Sequence, residues 1–139
     1  MKKGLLLNSE ISYVISKLGH KDGLVIGDSG LPIPNHIQRI DLAVSKGIPR
    51  FLDVLDAVLD EQKVEEIVIA NEIKEASPDM YRSILKKIKS IEDVENIKIK
   101  VIEISHEDFK EVTKESKAAI RTGEFTPYAN VILKSGVVF

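Results

Sequence analysis

The chain has 139 residues, of which 43% are hydrophobic and 30% charged, a length and balance that predict one globular domain over residues 1–139. A formal net charge of −2 offers no basic footprint for nucleic acid, and the absence of cysteine excludes disulfides, thiol nucleophiles and cysteine metal sites. The opening MKKGLLLNSE carries too short an apolar run for a signal peptide, and no later stretch approaches a membrane span, so a cytoplasmic domain is expected.

The segment NSEISYVISKLG places Ile11, Val14, Ile15 and Leu18 on one helical face, with Asn8 or Ser9 as N-cap and Gly19 just past the end. GLVIGD follows as a short apolar strand, and RIDLAV alternates Ile40, Leu42 and Val44 as a second. PRFLDVLDAVLDEQK reads as a helix opened by Pro49, with Phe51, Leu52, Leu55, Val58 and Leu59 as its apolar stripe. VEEIVIANEI is expected to be a strand, SPDMYRSILKKIKSI a capped helix, IKIKVIEIS a strand, and HEDFKEVTKESKAAIRTG a helix ending at Gly123. YANVILKSGVVF closes the chain with one or two strands. This alternation predicts an α/β fold, a three-layer α/β/α arrangement around a central mixed sheet.

Few residues are placed for chemistry. His20 follows the first helix, where a cation is favoured by the helix dipole, but an imidazole titrating near pH ~6.5 can also serve as general acid or base. Asp28 follows the C-terminal end of a strand, where α/β sheets present ligand-binding groups, although an aspartate there also simply forms turns. His106 follows IKIKVIEIS in the same way, although with Ser105 as N-cap it also reads as a plain first-turn residue, and Lys110 shares its helical face. His36 reads as a surface loop residue. Tyr128, in GEFTPYAN, reads either as core filler or, with Asn130, as suited to a sugar: the ring covers a C–H face while the amide donates to and accepts from hydroxyls. GDSG lacks the spacing of a phosphate-binding loop, Ser29 sits in no nucleophile elbow, and the three histidines have no metal-ligand spacing, so no metal or cofactor is expected. The inventory suits a small neutral polyhydroxyl ligand and proton transfer.

The strings LGHKDGLVIGDSGLPIP, IDLAVSKGIPRF, ANEIK, SHEDFK, AIRTGEFTPYANVIL and GVVF resemble the D-ribose pyranase family along essentially the whole chain. The sister fucose mutarotases share the GH and Y-x-N elements but look different at GLPIP, which puts this sequence on the ribose side. The resemblance implies an isomerase that interconverts the β-pyranose and β-furanose forms of D-ribose, upstream of ribokinase. It implies His20 as proton donor, and Asp28, His106 and Tyr128–Ala129–Asn130 as sugar-binding positions, with Lys110 near the sugar. A ribose is then expected between His20 and Asp28, against a wall formed by GLPIP. The resemblance also implies a ring-shaped homo-oligomer, a decamer of two stacked pentamers, with sites completed by a neighbouring subunit. A non-catalytic sugar-binding protein, or a mutarotase of a related sugar, would use the same residues.

Overall fold

The computed structural model describes all 139 residues. The chain begins with α1 (Ser9–Lys17), which Asn8 caps by accepting the Ile11 N–H at 2.9 Å. The helix ends through an extended Leu18 rather than a left-handed glycine; Gly19 directs its N–H to the Asp22 carboxylate instead. β1 (Gly23–Gly27) is buried at every residue, as the apolar run required. β2 (Gln38–Asp41) is shorter than expected: Ile40 is buried, but the chain turns out of the sheet after Asp41 and leaves Val44 exposed. α2 (Phe51–Leu59) starts two residues after Pro49, and its first N–H is taken by the Glu124 carboxylate at 3.2 Å, with no cap from its own flank.

β3 (Val64–Ala70) runs into a short α3 (Ile73–Ala76), a turn of helix where the strand was expected to continue. α4 (Pro78–Glu95) has proline at its first position and ends at a left-handed Asn96. Ser77 does not cap α4 with its side chain; its hydroxyl donates to the Pro127 carbonyl at 2.8 Å. β4 (Lys100–Ile104) leads to α5 (His106–Thr113), capped by Ser105 as expected. The helix expected to run to Gly123 stops ten residues early, and β5 (Ala118–Arg121) takes up its second half. Lys-Ala-Ala-Ile reads as helix locally, but Ala118, Ala119 and Ile120 are fully buried, and small side chains suit a strand enclosed on both faces. β6 (Val131–Ser135) is a single strand, after which Gly136–Phe139 leave the sheet.

The six strands lie in the order β2-β5-β1-β6-β3-β4. β5 pairs in parallel with β1 and β2, and β3 with β4, while β6 runs antiparallel between β1 and β3. Alternate side chains supply two cores. Leu24, Ile26, Ile67, Ile69, Ile120, Val131 and Leu133 pack with α1, α2 and α4 on one face. Val25, Val68, Ala119 and Ile132 pack on the other face with Phe109 of α5 and with Leu31, Ile33 and Ile37 from the proline-rich segment. Helices therefore cover both faces of a mixed sheet, as predicted.

Candidate active site

The antiparallel insertion of β6 creates the site. It brings the start of β6 beside the C-terminal ends of β1 and β3, so Asp28, just past β1, meets Asn130, just before β6. The two residues bond reciprocally: the Asp28 N–H donates to Asn130 Oδ1 at 2.8 Å, and Asn130 Nδ2 donates to Asp28 Oδ2 at 2.9 Å. Asp28 Oδ1 accepts the Gly30 N–H at 2.9 Å, which fixes the GDSG turn. Asn130 is buried, and a Cβ on Gly27 would lie 2.9 Å from its Oδ1 and 2.6 Å from a Leu31 methyl, so the strand must end on glycine. The proline-rich segment thereby packs under this turn through Leu31 and Ile33.

Tyr128 has φ of +60°, a left-handed conformation that costs a bulky residue roughly 1–2 kcal/mol. Its carbonyl accepts the Asn130 N–H at 2.8 Å, and buried Ala129 closes the turn. The strained turn aims the tyrosine ring at His106, edge on, with centroids 5.1 Å apart. His106 is the first residue of α5, and its backbone N–H donates to both Glu72 carboxylate oxygens at 3.0 Å. That N–H, and then the backbone N–H of Glu72 itself, hold the Glu72 carboxyl below the usual carboxylate range, with a smaller electrostatic contribution from the imidazole. His106 Nδ1 is buried and has no hydrogen-bond partner. Lys110 lies one turn along α5 and is paired with Glu107 at 2.6 Å.

Glu124 ties this pole together. Its carboxylate accepts from Phe51 N–H, Thr126 N–H and Thr126 Oγ1, and its carbonyl accepts the Ser29 N–H at 2.9 Å. Burial pushes the Glu124 carboxyl up, but the Thr126 hydroxyl and the Phe51 and Thr126 N–H groups outweigh it and hold it below its ordinary value. A carboxyl depressed in the folded state stabilises the fold above its unfolded value of about 4.3 and loses that effect as pH falls through its lower folded value. Near-ultraviolet circular dichroism during acid titration is therefore expected to show a steeper loss of stability below pH ~4 for the natural chain than for Glu124→Gln. Equal slopes would remove Glu124 from the acid response. Gly123, beside it, touches the carbonyls of Ile48 and Ser45 so closely that no Cβ fits.

Of the residues singled out from sequence, Asp28, His106, Tyr128, Ala129 and Asn130 are brought to one pole. His20 is not. It precedes β1, so the five residues of that strand, about 17 Å at ~3.3 Å per residue, separate it from Asp28 of the same chain. One ribose cannot bridge the two within a single subunit, which corrects the expectation of a sugar held between them in one chain. At its own pole His20 is exposed and faces Glu65, and it lines a cleft of about 490 Å³ with Ile15, Leu18 and the tail from Ser135 to Phe139. Glu65, Glu72, Ser77 and Glu124 were not legible as site-supporting residues. Each acts on a partner more than thirty residues away, and no local motif marks such pairings. No group of three or more His, Cys, Asp or Glu side chains is placed to hold a metal ion. No helix is long and apolar enough to cross a membrane.

The sheet-end pole thus offers carboxylate and amide oxygens, an imidazole and an aromatic edge to a neutral ligand. The chain is 55% identical over 139 residues to the D-ribose pyranase of Clostridium novyi, covering all of both chains. It resembles the solved structure of Bacillus subtilis RbsD complexed with D-ribose, with a TM-score of 0.91 and 40% identity over the whole of each chain. The fucose mutarotase of Streptococcus pneumoniae in complex with L-fucose matches more distantly, with a TM-score of 0.80 and 25% identity over the whole of each chain. The family profile itself matches residues 1–138, and on this full-length likeness in sequence and fold the chain belongs to the RbsD / FucU transport protein family.

Proposed function

We propose that the chain is an isomerase that interconverts the β-pyranose and β-furanose forms of D-ribose. The observation that carries this reading is the end-to-end likeness to D-ribose pyranases, with no part of either chain left over. In the reaction, the proton of the anomeric hydroxyl is removed and one is delivered to the ring oxygen O5. The C1–O5 bond breaks and leaves an open-chain aldehyde. The 4-hydroxyl then adds to C1, its proton is taken up, O1 is reprotonated, and the five-membered ring closes. Atoms and charge balance without a redox partner.

His20 is the proposed proton carrier, since an imidazole can be donor in one half and acceptor in the other. Asp28, His106, Tyr128, Ala129 and Asn130 are the proposed sugar-binding positions. The His106 imidazole and the Asp28 carboxylate would hold hydroxyls of the open chain so that it recloses productively. Because His20 stands at the far end of β1 from these groups, a complete site takes His20 from a neighbouring subunit. The proposed assembly is a decamer of two stacked pentamers, working in the cytoplasm without a cofactor. The fully exposed Phe139 and largely exposed Val138, beside His20, support a contact between copies.

Magnetisation exchange between the pyranose and furanose anomeric signals of ribose tests the activity. The expected result is exchange well above the spontaneous rate at catalytic amounts of protein. A binder without catalysis would leave the spontaneous rate unchanged, and faster exchange of L-fucose anomers than of ribose would favour a mutarotase.

A further inference from the structure

One contact is left unused by this chemistry. His20 Nε2 lies 2.9 and 3.0 Å from the two oxygens of Glu65. A carboxylate only accepts, so the proton sits on Nε2, and a neutral imidazole then presents Nδ1 as a lone pair. The backbone supports the pairing independently. The register of β3 against β6 shifts between Val64, opposite Ser135, and Glu66, opposite Lys134, which makes Glu65 the extra residue of a bulge. A bulge re-aims a side chain that regular alternation would send elsewhere. Gly136 lets β3 approach there, since its Cβ would stand 3.2 Å from that of Glu65. Three neighbouring charges are engaged elsewhere: Asp22 with the Gly19 N–H and Lys117, Lys63 with Glu95, and Glu61 with Lys2.

We infer that Glu65 is a positioning residue for His20: its carboxylate holds Nε2–H, so that Nδ1 is the nitrogen that takes the proton from the anomeric hydroxyl and returns it to the ring oxygen. The inference rests on the proposed role of His20. In the step, Nδ1 gains the O1 proton, the imidazolium keeps its Nε2–H on Glu65, and Nδ1 then donates to O5 as the C1–O5 bond breaks. Glu65 stays ionised and never touches the sugar.

Long-range proton–nitrogen correlation spectra of the full ¹⁵N-labelled chain, with His20 identified by its loss in His20→Ala, read the tautomer directly. The Nε2–H form is expected for neutral His20 in the natural chain, and a mixture in Glu65→Ala. Exchange at saturating ribose is expected to fall about 10- to 100-fold in Glu65→Ala, the modest end of acid–base effects because the pair is half exposed. The half-saturating ribose concentration should stay within about twofold, the mark of a residue acting on the chemical step. Glu65→Gln keeps an acceptor oxygen but no charge, so it should hold the tautomer and recover only part of the rate. An Nδ1–H tautomer in the natural chain, or full exchange in Glu65→Ala, overturns the inference. Should Glu65→Ala fail to assemble, Glu65→Gln decides, and full exchange in that variant overturns it equally. A natural chain that does not accelerate ribose exchange at all would instead sink the proposed function, while the spectrum still reports on the His20–Glu65 pair.

Discussion

His20→Ala is expected to lower ribose ring exchange by about 10²–10⁴-fold, the range for loss of a general acid–base group. The fold should be untouched, because the imidazole is exposed and its one side-chain partner, Glu65, can be solvated when it goes. Ribose affinity should largely persist, since the proposed sugar-binding groups stand at the other end of β1. That separation gives a sharper test than the single variant. His106→Ala, which removes the imidazole from the sheet-end pole, should also be severely impaired. If each site takes His20 from one subunit and His106 from its neighbour, co-expressing the two variants in equal amounts leaves both residues intact at about a quarter of the sites. Exchange should then return to roughly a quarter of the natural rate, although neither variant alone is active. A co-expressed mixture no better than the mean of the two variants would show that each subunit works alone, and would contradict the geometry of β1.

Deleting Gly136–Phe139 is expected to break the proposed oligomer and lower exchange together. The effect is local to the tail. Val131, Ile132 and Leu133 of β6 are fully buried between β1 and β3, so this strand is no exposed edge and fills the subunit's own core. The tail beyond it contributes only the Gly136 N–H to Lys63 carbonyl bond at 2.9 Å, while Val138 and Phe139 stand in solvent. Covering two such side chains in a neighbouring copy stabilises a contact by roughly 1.5–3 kcal/mol each. The tail also lines the cleft that holds His20, which couples assembly to the site. Sedimentation velocity beside the exchange assay checks this. A truncated monomer with undiminished exchange would mean that each subunit owns a complete site.

The sequence by itself determined the class of the fold and much of one pole. Apolar residues at helical spacing marked α1 and α2. A continuous apolar run marked β1; of Asn8 and Ser9, both open as caps of α1, Asn8 is the cap, and Ser105 caps α5 as expected. Asp28 and His106 could be read as candidate site residues because each comes just after a strand, and chain order alone fixes that. Tertiary structure decided what depends on which strand lies beside which. Lys-Ala-Ala-Ile became β5 rather than helix because β1 and β2 offer it two parallel partners. Asn130 met Asp28, 102 residues away, because β6 inserts antiparallel between β1 and β3. The same insertion sent Ser135 and the tail back to His20, at the opposite pole from Asp28. Periodicity records which face of an element is buried. It carries nothing about the neighbour that buries it, because strand pairing is made by backbone groups common to every residue. The partners Glu65, Glu72 and Glu124 were hidden for the same reason, being ordinary acids until the fold supplied the groups they hold.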